Sequence, residues 1–542
     1  MLEKLSNINP DLVQDEQIKS MLRLLLNIVE SQQSEISSLK ETNQALRDEI
    51  NRLKGEQGKP KFKPKNKSKD ISSERYTKST DKGREKKKGK KKNILIDKKE
   101  TCKIDKSILP LDAVFKGYDT LIQQDIVFKR ENTEFQIELW YSPSKNKTYR
   151  SHPENYTGYF GNNLKTFALM MHNFADVTHS KLLGLLRGMD IEISSGSLQN
   201  ILSENKETWI KEKQDIIKSG LQGDYIQTDT TGAKVAGELW HTHILCSDNF
   251  MSFSTLEGKG RKHLLYALQG EPENGLSFIY NDVTEKYLNH FKISTSHKKQ
   301  LASIYENQGI LTEFEFKKKT TELMPDLVSK PTTFNWVCDS FAFGYYHWQE
   351  DYSKVNILIS DNAPEYKLIG NRQGLCWIHD ARNYNKIIPF VKYHQQLVED
   401  FQRTYWKFYK KLLDYKDKPD KELKHKIKTD FDKLFIPNTG YFDLDKQIKK
   451  TLKNKNELLT VLEYPQIPLH NNLAELAARI QVRKRDISLH TMTKCGTKLQ
   501  DAFMSIIQTC RLNGVNAYAY IRNRVAEQNE IYLPNIVAAK II

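Results

Sequence analysis

Between residues 20 and 54 apolar side chains recur every three and four positions. With Leu22, Val29, Ile36, Asn43 and Ile50 at heptad position a, Leu25, Gln32, Leu39, Leu46 and Leu53 fall at d. Five heptads with two polar breaks predict a coiled coil, and a buried Asn at a with Leu at d suits a parallel pair of chains. The pattern then lapses. Around "FQIELWYSPSKNKTYRSHPENYTGYFG" it alternates loosely among turn residues, as short strands do. From Leu164 to Leu202 the period is helical again. "VTHSKLLGLLRGMDIEISSGSLQNILS" predicts helix, turn, helix, with Thr178 capping the first and Ser194, Ser195 or Ser197 the second. Such a pair either enters a DNA groove or is an ordinary core hairpin.

Past Gly223 the period shortens to that of strands. "DYIQTDTTGAKV", "ELWHTHILCSDN" and "FMSFSTLEGKG" are three strand-like runs separated by turn residues, and residues 261–270 read as helix. After a long mixed stretch, "KVNILISDNAPEY" is a further buried strand, followed by the amphipathic helix of "LCWIHDARNYNKIIPF". Residues 391–460 are charged and helical. Three meandering strands, a helix, then another strand and helix predict a mixed α/β or α+β sheet. The boundaries follow as 1–57 coiled coil, 58–99 linker, 100–162 small β-rich segment, 163–220 helical region, 221–390 sheet core, 391–462 helical insertion and 463–542 closing helices.

Charge changes the picture for one segment. The chain of 542 residues has a formal net charge of +16. Residues 59–92 hold 16 Lys and Arg against four acids, so this stretch, with Lys86, Lys87 and Lys88, carries three quarters of the excess. It has almost no apolar residues and cannot fold by burial. Its cations suit salt-dependent, sequence-blind contact with nucleic acid. No apolar run approaches the roughly 18 residues of a spanning helix, so no membrane partner is expected. The start lacks a basic segment followed by a continuous apolar one, so no signal peptide is expected. The six cysteines include no C-x-x-C pair, which fits a reducing cytoplasm and predicts no zinc.

The candidate chemistry lies in three acids. Asp229 follows the alternating strand residues Tyr225 and Ile226, and Asp361 ends Ile357-Leu358-Ile359. Glu475 heads a helix in "PLHNNLAELAARIQVRKRD", with Asn472 as N-cap and Glu475 three residues on, where a carboxylate favours the positive helix end. Each residue alone reads as a turn or cap. Brought together, three carboxylates hold a pair of hard divalent cations, as phosphoryl transfer requires. Arg479, Arg483, Lys484 and Arg485, behind Glu475, would then contact phosphates. Other residues carry less. Cys376 and His379 form a C-x-x-H pair, two ligands only, with His379 placed to orient DNA or brace the core. His241 and His243 share a strand face. Asp339 competes as second acid without a strand-turn context. Asp380 is expected to pair with Arg382 or solvent.

These motifs resemble those of bacterial DDE transposases of the insertion sequence 66 family. The resemblance covers nearly the whole chain. It runs from the zipper ending "INRLKGEQGKPK" through "IQTDTTG", "LISDNAPEY" and "LCWIHDARNY" to "PLHNNLAELAARIQVRKRD" and "LNGVNAYAYI". Leu476 stands where the family's Asn-Asn-x-x-Glu-Arg signature has Arg, and the Lys-rich stretch stands where many members carry a zinc-binding segment. The resemblance implies a ribonuclease-H-like core with a helical insertion before the third acid. It implies Asp229, Asp361 and Glu475 as ligands of Mg²⁺, or Mn²⁺ in its place. It further implies nicking at element ends and attack of the freed 3′-hydroxyl on target DNA. Double-stranded DNA and a second copy, joined through residues 20–54, are the expected partners of a cytoplasmic, nucleoid-associated protein. The rival reading is a repurposed transposase that binds DNA without cutting it.

Overall fold

The structure is a computed structural model that describes residues 8–53, 95–105, 115–116, 118–126, 129–154, 156–306, 309–528 and 530–541. The Lys-rich stretch, including Lys86, Lys87 and Lys88, lies outside the described residues. Among the described residues no helix is long and apolar enough to cross a membrane.

The heptads form one helix, α1 (Glu16–Leu53). Its a/d stripe faces away from the rest of the chain, with Leu39 60% and Leu46 59% exposed. A different face is buried. Leu26, at heptad position e, packs with Val391 and Tyr393. At f, the Asn27 side chain donates to the Gly440 carbonyl at 2.9 Å and accepts from the Phe442 N–H at 2.9 Å. At b, the Glu30 carboxylate accepts from the N–H groups of Phe390 (3.0 Å) and Val391 (2.7 Å) and lies 3.2 Å from His394 Nδ1. Gly440 turns there with φ +84°, and a Cβ would come within 3.3 Å of Arg23, so glycine suits both the backbone and the close approach.

In residues 100–162 the described strands form one hairpin, Leu139–Ser142 with Lys147–Arg150. The helical run is three short helices, α2 (Asn162–Asn173), α3 (His179–Gly188) and α4 (Ser195–Ser203), which bury Leu182, Leu186, Leu198, Ile201 and Leu202. Ser194 caps α4 by accepting from the Ser197 N–H at 3.0 Å. Gln199 and Asn200 face outward. Helix α5 (Lys206–Gly220) leads into the sheet.

The three strand-like runs are β1 (Tyr225–Val235), β2 (Glu238–Cys246) and β3 (Met251–Leu256), and β4 (Ile357–Ser360) and β5 (Arg372–Leu375) complete a sheet of order β3-β2-β1-β4-β5. The first three are antiparallel, and β4 and β5 run parallel to β1. Two helical blocks interrupt it. The block between β3 and β4, read in sequence only as one helix and a mixed stretch, holds several helices around the contacting rings of Phe278, Tyr305, Phe316 and Phe341. Asp339 is buried there and ion-paired with Arg261 at 2.9 Å.

The other block follows β5 and has α6 (Trp377–Asn385), α7 (Lys392–Asp417), α8 (Lys421–Leu434) and α9 (Phe442–Lys453). Asp380 does not pair with Arg382 or solvent as expected. It accepts hydrogen bonds from Thr451 Oγ1 (2.9 Å) and the Tyr405 hydroxyl (3.1 Å), fastening α6 to α9 and α7.

Last come α10 (Asn472–Ser488) and α11 (Lys494–Leu512). β3 is an edge strand, and α11 covers it. Asp501, Ser505 and Thr509 accept from the N–H groups of Thr255 (2.7 Å), Phe253 (3.0 Å) and Met251 (3.1 Å). Four helical residues advance about 6 Å, nearly the length of two strand residues, so a polar side chain every fourth position matches every second amide. An open edge is thereby closed against further strands.

Candidate active site

β1 and β4 pair in parallel, with Gln227 opposite Ile359. Asp229 and Asp361 each lie two residues farther on, Asp229 within β1 and Asp361 just past the end of β4. Asp229 sits midway along β1, where its Oδ1 accepts from the Thr230 N–H at 2.7 Å. Asp361 follows the last residue of β4, and its Oδ1 accepts from the Ala363 N–H at 3.0 Å, shaping the exit turn.

The third acid arrives on α10 by a route different from the expected cap. Asn471, not Asn472, occupies the cap position, and its side chain makes no capping bond. It is 1% exposed and donates to the Thr228 carbonyl at 2.7 Å, binding the start of α10 to β1 beside Asp229. Its N–H points at Cys376 Sγ, 3.3 Å away. Glu475 therefore stands in the fourth helical position and does not reach back to the cap. Its carboxylate accepts from Arg382 Nη2 at 3.0 Å (Oε2) and Nη1 at 3.4 Å (Oε1), and Oε1 lies 3.6 Å from His379 Nδ1.

The electrostatics of Asp229 register the convergence. Burial raises its pKa to about 6, the negative charges of Asp361 and Glu475 add to that rise, and the Thr230 N–H and Lys259 oppose it. Burial and neighbouring like charges both favour the protonated carboxyl. His379 is shifted down by burial first, while Glu475 pulls its pKa up and Arg382 pushes it down.

Two cations at the site escape a reading of the sequence. Lys259, in the turn after β3, is ion-paired with Glu365 at 2.9 Å and attracted by the charges of Asp361 and Asp229. Arg261 fixes that turn by donating to the carbonyls of Lys367 (3.1 Å) and Pro364 (2.6 Å), just beyond Asp361. Arg382 is the other. The only sequence signals were the Gly-Lys-Gly turn and the spacing of three from His379.

The four expected phosphate contacts separate. Arg479 and Arg483 are exposed on α10. Arg485 is half-buried and donates to the Gly232 carbonyl at 2.5 Å. Lys484 is a correction. At 4% exposure its ammonium sits 2.8 Å from the His172 carbonyl and 3.0 Å from Asp176, so it clamps α10 to the α2–α3 corner and offers nothing to a phosphate.

Comparison with known proteins agrees with the resemblance over part of the chain. Residues 349–499 match the family described as Transposase IS66 family. That segment contains Asp361, Cys376, His379, Arg382 and Glu475, and Asp229 precedes it. The chain is also similar to "Uncharacterized protein y4jO" of Sinorhizobium fredii (strain NBRC 101917 / NGR234). The two are 28% identical over 318 residues, which span 58% of this chain and 97% of that relative.

Proposed function

We propose that this chain is a transposase that binds the ends of an insertion sequence and cleaves and joins DNA strands, with Asp229, Asp361 and Glu475 as its metal-holding triad. The observation that carries the reading is the convergence itself. One acid lies within β1 and one just past the end of its parallel neighbour, a helix acid is fastened to β1 by Asn471, and the charges of all three meet at Asp229. The sheet order, three antiparallel strands followed by two parallel to the first, supports a ribonuclease-H-like core.

The donors are hard oxygens, three carboxylates drawn together beside Lys259 and Arg382. The site therefore fits Mg²⁺ or Mn²⁺. Bound there, such cations supply Lewis-acid activation of the attacking oxygen and stabilise the leaving one. The chain's own groups do the rest. Lys259 presents its ammonium to a non-bridging phosphate oxygen. Arg382 orients the Glu475 carboxylate. Arg479 and Arg483 take flanking phosphates, which position the duplex without reading its sequence. Water attacks phosphorus, the bond to the 3′ oxygen breaks, and the strand leaves with a 3′-hydroxyl. That hydroxyl then attacks a target phosphate and displaces a 3′ oxygen there. The outward face of α4, with Gln199 and Asn200, reads the element end, and the exposed stripe of α1 pairs two copies so that both ends are held.

The test is nicking of DNA carrying the ends of the element, in Mg²⁺. Parent protein should cut, and Asp229→Ala and Glu475→Ala should bind the same DNA without cutting it. Binding with no cleavage by the parent protein would overturn the catalytic reading in favour of a DNA-binding protein.

A further inference from the structure

Among the described residues one cluster of side chains brings metal-ligand atoms of three kinds within 4.8 Å of one another: Cys376, His379 and Glu475. The sequence showed only the first two, and two ligands do not hold zinc. The third comes from α10, 96 residues beyond His379.

The geometry of each ligand is suitable. Oε1 of Glu475 and Nδ1 of His379 are 3.6 Å apart. Bonds of about 2.1 Å from a tetrahedral zinc to nitrogen and oxygen set their separation at about 3.4 Å. Nδ1 is buried and makes no hydrogen bond, while Arg382 Nη1 lies 3.2 Å from Nε2 of the same ring and would have to turn away for a metal to take Nδ1. Cys376 is buried at the start of α6. Burial foremost, and the Glu475 charge, push its thiol up to about 11 while the backbone N–H groups of His379, Asn471 and Ile378 pull the other way, so a bound metal would have to displace the thiol proton. Arg382 holds Oε2 most closely, at 3.0 Å, and lies farther, 3.4 Å, from Oε1 on the His379 side. A thiolate and an imidazole select a soft cation over magnesium.

We propose that Cys376, His379 and Glu475 form a binding site for a soft divalent cation of zinc type, which shares Glu475 with the carboxylate triad and so excludes the hard cations from it. The exclusion rests on the reading of Glu475 as a triad member. The binding of zinc does not.

The test titrates the full-length chain, freed of metal by chelation, with Co²⁺ and with Zn²⁺. One equivalent of Co²⁺ should give a thiolate-to-cobalt charge-transfer band that Zn²⁺ bleaches. Cys376→Ala and His379→Gln should each lose the band and weaken zinc binding at least tenfold, while Asp229→Asn and Asp361→Asn keep both. Thermal unfolding of each metal-free variant close to that of the parent shows that the fold is intact. Should Cys376→Ala fail that check, His379→Gln carries the comparison. A band that never forms, or one that persists in both variants, overturns the site. Micromolar zinc should also inhibit Mg²⁺-dependent nicking by the parent and spare Cys376→Ala, and equal inhibition of both overturns the exclusion. A parent that does not nick at all refutes the functional reading and leaves the cobalt band to decide the site.

Discussion

Ionising Asp229 works against the fold. Its pKa stands near 6 in the folded chain against an ordinary 3.8, so the stability associated with the protonated form is complete below pH 3.8 and is lost as pH rises through about 6. The loss is on the order of 3 kcal/mol in the absence of cations. Asp229→Asn should therefore raise the thermal midpoint of metal-free protein at pH 7.5 and leave it unchanged at pH 4, as calorimetry at the two pH values would show. Arg382→Ala should have the reverse character. It leaves the Glu475 carboxylate, 11% exposed, without its closest cation, at about 1–3 kcal/mol, and saturating Mg²⁺ should shrink that cost in denaturant melts. At this scale the three acids could be singled out as candidates because an alternating strand, a strand end and a helix start are local features. Lys259 and Arg382 were not, because they reach the acids from other elements. Lys484 was misread because its run of charge hid its phase: Ala477, Gln481 and Lys484 lie on one buried stripe of α10.

Elements were legible where they are long or strictly alternating, as in α1, α7 and β1 to β3. The block between β3 and β4 was not, because its shorter helices carry little periodic signal and are held by the aromatic cluster beneath them. The docking of α1 was also hidden, since it uses the polar face between the heptad stripes. Glu30 is central to it. Burial pushes its carboxyl up, but His394 and the two N–H groups hold it below the ordinary value. The stability it contributes is present above the ordinary glutamate pKa and is lost as pH falls through the lower folded value. Glu30→Ala orphans the buried N–H of Val391 and the half-buried N–H of Phe390. Hydrogen exchange should report faster opening of residues 22–30 and 390–394 in that variant at pH 7, with the β1–β4 pairing as protected as before.

At the scale of the molecule, one helix carries an intramolecular face and an unoccupied stripe. Leu39→Glu with Leu46→Glu should abolish self-association in sedimentation equilibrium. Because both positions are exposed in the single chain, the melting of the monomer should shift by no more than about 0.5 kcal/mol. Sharing one rod between the two contacts has a further result. Each residue of α-helix adds about 100° of rotation, so in the proposed pair the count between Glu30 and Ile36 would set the azimuth of one candidate cleft about the pair axis. Two residues inserted there would swing the seam by about 200° and turn the clefts away from each other. A whole heptad would rotate it by only about 20° and move the cores apart. On the proposed pairing, the spacing of two bound DNA ends would be written as a phase in α1, and a change in length would become a change in direction.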